Sequence, residues 1–377
     1  MKKRIVSLLC VLALCLGLLP VTALAAGEDA PGTLWVGRTQ ITARGYWKTT
    51  TEGNFETGSE NDYNVYYDGN GTLTLNGATI QGGTSTGSVP YGAGIYAQCS
   101  NGQSVTLTIK LIGENTITGY YGIYVNAEID ASSYGTDATL TITGESNGSL
   151  KVSGSYHGIY VKSGTGGASL NINDASVVAS SSSSYYDYAG VYVQSSAHAT
   201  SSPQLSLAVN GGSLTASGTE SSDGILFYVG SLQATGATTS LTVSENAIVD
   251  AKNGGISAKQ ISNPINTDIS ATGSNGGIVF DGKNGTVYGD VTLQEDLEIG
   301  KDETLTIPEG ASLDMNGKTI TVESGGKLEG TPTGSGTLKI APTITTTTLP
   351  DGEVGTVYSQ SLAANGDTPI TWSLASG

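Results

Sequence analysis

Between residues 65 and 340 the chain is built from short runs that alternate apolar and polar positions. Leu73-Thr74-Leu75, Leu107-Thr108-Ile109, Leu140-Thr141-Ile142, Leu170-Asn171-Ile172, Leu205-Ser206-Leu207 and Leu241-Thr242-Val243 repeat one such pattern. Period-two alternation puts every second side chain on one face, the signature of a half-buried strand. The runs are separated by Gly, Asn and Ser. No stretch of useful length carries the 3.6-residue period of an amphipathic helix.

A Gly-apolar-aromatic tripeptide recurs beside this pattern. It reads Gly94-Ile95-Tyr96, Gly122-Ile123-Tyr124, Gly158-Ile159-Tyr160 and Gly190-Val191-Tyr192, then decays to Gly224-Ile225-Leu226, Gly255-Ile256-Ser257 and Gly277-Ile278-Val279. The spacings are 28, 36, 32, 34, 31 and 22 residues. A third run follows in most repeats, as in Ser149-Leu150-Lys151-Val152 and Ser213-Leu214-Thr215-Ala216. Roughly 30 residues with about three short strands match neither the helical repeats nor a propeller blade of about 40–45 residues and four strands. They predict one turn of a right-handed parallel β-helix, in which each strand pairs with its counterpart one turn away at ~4.8 Å. Gly would serve tight corners at positive φ.

After Gly285 the runs shorten and recur every six to ten residues, from Val291-Thr292-Leu293 to Leu338-Lys339-Ile340. This predicts the same coil with minimal turns. Residues 65–340 then make about ten turns, a rod of roughly 50 Å. Open solenoid ends invite edge-to-edge pairing. The segment before the first turn holds Trp35, Trp47, Phe55, Tyr63 and Tyr66, which suits a cap. The expected division is a leader over 1–25, a cap over 26–66, β-helix turns over 67–285, short turns over 286–340, and a distinct tail over 341–377.

Composition narrows the class. Of 377 residues, 54 are Gly, 37% are apolar and 13% are charged. That excludes a helical bundle and a collagen, and it fits disorder poorly. Met1-Lys2-Lys3-Arg4, the apolar stretch Ile5 to Leu19 and the small-x-small Ala23-Leu24-Ala25 read as a cleaved secretory leader, with the mature chain starting at Ala26. The apolar stretch is short for a membrane span, and no second one occurs. Cleavage removes three of 16 basic residues and none of 33 acidic ones, so −17 becomes 13 − 33 = −20. Nucleic acid is therefore a poor partner, and acidic polysaccharides are disfavoured. Only Cys99 would remain, too few for an internal disulfide.

Two resemblances follow. Leu34-Trp35-Val36-Gly37, Asp68-Gly69-Asn70-Gly71-Thr72-Leu73-Thr74-Leu75-Asn76 and the Gly-Ile-Tyr turns resemble pectin-lyase-like β-helices, and more narrowly the carbohydrate-binding-type β-helix modules of secreted bacterial proteins. Leu349-Pro350-Asp351-Gly352-Glu353-Val354-Gly355-Thr356-Val357-Tyr358 through Pro369-Ile370-Thr371-Trp372 resembles the opening of Ig-like domains found in tandem on bacterial surface proteins. Such a domain needs about 100 residues, so the tail reads as a truncated one and the chain as a segment of a longer modular protein, itself monomeric.

Many β-helices of this class cleave acidic polysaccharides, and resemblance to the lyases implies an Arg base. No Arg follows Arg44. Lys151, Lys162, Lys259 and Lys283 sit in ordinary polar contexts. The hydrolase branch implies paired carboxylates. Asn266-Thr267-Asp268 and His157-Gly158 occur, but out of order and without an Asp pair, so the former reads as a chance match in a turn. His157 and His198 lack a second ligand at metal spacing. The acidic run Asp290, Glu295, Asp296, Glu298, Asp302 and Glu303 reads as a solvated face. No catalytic residue, cofactor or metal is expected.

The suggestive feature is aromatic. If Ile95, Ile123, Ile159 and Val191 point inward, Tyr96, Tyr124, Tyr160 and Tyr192 form an outward column. Tyr91, Tyr120, Tyr121, Tyr156, Tyr185, Tyr186 and Tyr188 precede it at the corners. Tyr offers a face to a pyranose ring and a hydroxyl for hydrogen bonds. The expected sites are Tyr96, Tyr124, Tyr160, Tyr192, Tyr121, Tyr156 and Tyr186, and the expected partner is a polysaccharide or a host or wall glycan. A self-stacked ladder that only stabilises the sheet is the competing reading.

Overall fold

The computed structural model describes residues 29–373, except 51–53, 84–89, 101, 129–136, 184–187, 198–200, 221 and 233. The leader expected over 1–25 lies outside the described residues, as do Tyr185, Tyr186 and His198. Within them the protein is all-β, with one short 3-10 turn at Pro90–Gly92, and winds into a β-solenoid of about six turns. Among the described residues no helix is long and apolar enough to cross a membrane.

The alternation translates directly into columns. The strand Val105–Asn126 runs parallel to Thr72–Asn76, then Thr79–Gln81, then Ile95–Gln98, and these partners mark its leading, middle and trailing passages. The strand Ala138–Ser163 repeats that path one turn later. In the leading passage Leu107, Leu140, Leu170, Leu207, Leu241 and Ile269 stand in register. The five Leu are fully buried. Each contributes roughly 1.5–3 kcal/mol of apolar burial. In the middle passage the column shrinks from Ile80, Ile117 and Val152 to Ala179, Ala216 and Ala251. Outward hydroxyls and amides form ladders between turns, as in Ser206 Oγ to Ser169 Oγ at 2.9 Å and Asn210 Nδ2 to Asn173 Oδ1 at 2.9 Å.

The recurrent Gly of the tripeptide has a different cause from the one expected. Gly94, Gly122, Gly158 and Gly190 are not at positive φ. They are required by close approach: a Cβ on Gly122 would lie 2.3 Å from Val152 Cγ2 and 2.4 Å from the Gly158 carbonyl oxygen. Successive turns touch backbone to backbone there.

Other expectations are corrected. Gly277-Ile278-Val279 does not continue the Gly-Ile-Tyr column. Its strand pairs with Ala247–Ala251, so Val279 follows Leu150, Val177, Leu214 and Val249 in the middle passage. The 22-residue spacing from Gly255 spans one passage too few. The count of ten turns also overshoots, because Gly277–Asp281 reverses in an antiparallel pair with Asn284–Tyr288 and interrupts the regular climb. Beyond it, short parallel pairs such as Leu297–Ile299 with Thr319–Val322 enclose a second core containing Phe280, Leu305, Leu313 and Ile320.

Residues before the first parallel turn pair antiparallel. Thr33–Val36 lies along Ile95–Gln98, and Gly45–Thr49 lies between Phe55–Thr57 and Val65–Tyr67. Among the described residues of the tail, the strands are the two-residue pair Thr343–Ile344 with Ala364–Asn365.

Candidate functional site

The trailing passage positions the Tyr column. Ile95, Ile123, Ile159 and Val191 point into the coil and are fully buried. The next residues, Tyr96, Tyr124, Tyr160 and Tyr192, therefore point out, and they stand in register with one another. Leu226 continues the row, and Trp35 begins it from the antiparallel strand. The column exists, but it is not a solvated face. The four Tyr are 2%, 4%, 7% and 7% exposed. They form a separate apolar cluster with Ala93, Ala189 and Leu226, backed by Trp35, Tyr121 and Tyr228.

The rings explain the burial. Tyr124 and Tyr160 stack at 4.5 Å with 4° between planes, Tyr96 meets Tyr124 edge-on at 5.4 Å, and Tyr160 lies 5.0 Å from Tyr192. Strand spacing brings equivalent rings to stacking distance. The Tyr160 hydroxyl donates to Gln194 Oε1. Burial first, then Tyr124, Tyr192, Tyr121 and Glu128, raise the Tyr160 phenol well above its usual value.

His157 belongs to this cluster, which the sequence reading missed. It takes the register position of Tyr121 and is buried. Its ring stacks on Tyr192 at 4.4 Å and 15°. Nδ1 accepts the Ala189 amide at 3.2 Å. Aligning the residue just before each tripeptide Gly would have revealed the match.

A rim of half-buried Tyr remains at the corner: Tyr120, Tyr121, Tyr156 and Tyr188. Tyr156 lies 4.7 Å from Tyr120, 5.7 Å from Tyr121 and 4.6 Å from Tyr188. The rim rests on the buried column through Tyr121, whose ring is 5.1 Å from Tyr124 and 5.7 Å from Tyr160. Tyr186 and Tyr185 lie outside the described residues. An open groove of about 450 Å³, lined by Asp137, Thr139, Ser169, Gln204 and Ser206 among others, crosses successive turns of the leading passage.

The other candidates are separate from the rim. Thr267 and Asp268 begin the strand Thr267–Ala271 rather than a turn, and the Asn266 carbonyl accepts from Thr239. In the acidic run, Asp290 accepts from Ser312, Asp296 from the Thr319 amide and Glu303 from the Gly300 amide. Among the described residues no group of three His, Cys, Asp or Glu is placed to hold a metal ion. Lys162 pairs with Glu128. No protein-family model, curated protein or solved structure matches the chain.

Proposed function

We propose that this chain is a non-catalytic, secreted or cell-surface β-helix module that binds carbohydrate at the rim of Tyr120, Tyr121, Tyr156 and Tyr188. In this reading it is a right-handed, pectin-lyase-like coil of three strands per turn, capped by its N-terminal strands and continued by an Ig-like segment of a longer surface protein. The observation that supports binding is the half-exposed rim fixed on a buried aromatic base. Rings held rigidly lose little freedom when a pyranose stacks on them.

The test is retardation of the chain in gels containing neutral polysaccharides. Tyr120→Ala and Tyr188→Ala together should abolish retardation, and no reducing ends should be released. Undiminished retardation in the double variant would move binding elsewhere.

A second reading, a structural stalk that displays other modules, is favoured by one observation: Tyr96, Tyr124, Tyr160 and Tyr192 bury each other. Under it no neutral polysaccharide retards the chain.

A further inference from the structure

A second aromatic patch lies in the N-terminal strands. In Gly45–Thr49 the indole of Trp47 packs toward the core while Tyr46 faces out, and in Val65–Tyr67 the flanking residues are buried while Tyr66 faces out. Tyr46 and Tyr66 are direct cross-strand partners. Their rings stack at 4.4 Å and 23°, and the Tyr63 and Tyr46 rings meet edge to face with centres 5.3 Å apart. All three are half-buried. Exposed Arg44 holds its guanidinium carbon 5.7 Å from the Tyr66 ring centre.

Charges of both signs surround the patch, and after burial and Tyr46 the carboxylates of Glu145 and Glu60 help raise the Tyr63 phenol. Lys48 pairs with Asp62, and Lys110 lies 3.6 Å from Glu145. Arg44 forms no ion pair with a carboxylate among the described residues. Its surroundings are Tyr46 and Tyr66, whose hydroxyls raise the guanidinium further above its usual range. A guanidinium laid on an aromatic ring keeps its in-plane N–H donors, which match a carboxylate bidentately. The chain's charge of −17 does not decide the matter here, because exposed charges more than about 8 Å away are largely screened at physiological salt.

We propose that Arg44 with Tyr46, Tyr63 and Tyr66 forms a binding site for a carboxylated pyranose, the sugar lying against the Tyr rings and its carboxylate on Arg44. The site is distinct from the rim of the proposed function. It rests on that reading only in taking carbohydrate as the ligand class.

The experiment titrates the full chain with a β-1,4-linked oligoglucuronate and with the oligoglucose of the same linkage and length, at physiological salt. The expected result is at least tenfold tighter binding of the oligoglucuronate. Arg44→Gln should remove that preference, and Arg44→Lys should retain part of it. Equal binding of the two sugars, no binding of the acid, or a preference unchanged in Arg44→Gln each overturns the site. The two-sugar contrast needs no variant, so it stands even where a substitution disturbs the fold. Neutral binding lost with the Tyr120 and Tyr188 variants, but no acid preference, leaves the rim standing and this site refuted. The reverse pattern separates them the other way.

Discussion

Tyr124 and Tyr160 lie face to face on adjacent turns, 4.5 Å apart and 4° from parallel, with almost no exposure to solvent. Their outward position follows from strand alternation, and their burial follows from neighbouring rings. Tyr160→Ala should therefore behave as a core deletion, costing about 3–5 kcal/mol. Tyr160→Phe removes only the hydrogen bond to Gln194 and should cost about 1 kcal/mol. Urea unfolding followed by fluorescence measures both. Losses under 1 kcal/mol for Tyr160→Ala would mean the column does not pack as described.

The same phenol gives an alkaline signature. Its folded value is raised, so its contribution is intact below the unfolded value of 10.0 and is lost as pH rises through the folded value. The stability gap between the parent and Tyr160→Phe should narrow as pH climbs above 10. A gap constant from pH 7 to beyond the ordinary Tyr range would contradict the burial.

Glycines separate into two kinds. At Gly122 an added Cβ would meet Val152 and the Gly158 carbonyl, while at Gly310, φ +87°, it would meet nothing within 4 Å. Gly122→Ala should cost at least 1–3 kcal/mol through forced backbone separation. Gly310→Ala should cost only about 1 kcal/mol of left-handed strain. Thermal unfolding of the two variants compares them. Equal losses would remove close approach as the reason for the tripeptide Gly.

The first and second cores are joined electrostatically. Lys252 Nζ lies 2.7 Å from Asp250 and 3.0 Å from Glu303. Burial raises the Asp250 carboxyl against the pull of Lys252, and one of its oxygens is buried without a partner. Burial lowers the Lys252 ammonium, but its two carboxylates outweigh that and raise it. A raised carboxyl favours the fold below its unfolded value of 3.8 and loses that contribution as pH rises through the folded value. Relative to Asp250→Asn, the parent should therefore gain stability as pH falls from 7 toward 4. Glu303→Gln weakens both the ion pair and the acceptor for the Gly300 amide, and should cost about 1–3 kcal/mol. Melting curves of both variants across that range check the sign.

Much of this was legible in the residues. Leu107, Leu140 and Leu170 declared both their strand and their column, because parallel pairing repeats the period-two pattern at fixed register. The outward sense of Tyr96 to Tyr192 was equally legible. Their burial was not, since alternation states which side of a strand a residue occupies and not what covers that side. In the sequence His157 stands without a second metal ligand or an evident aromatic partner, because its partners are neighbours across turns, not along the chain. Gly277-Ile278-Val279 matches the tripeptide yet lies in another passage, because similarity of three residues says nothing about which passage of the coil they occupy.

The central claim is that carbohydrate meets the rim while the column only supports it. Chemical shifts of ring-labelled Tyr, followed while a neutral oligosaccharide is added to the full chain, test this directly. Saturable shifts are expected at Tyr120, Tyr156 and Tyr188, with much smaller ones at Tyr96 and Tyr124. Unmoved rim resonances at saturating sugar would contradict it.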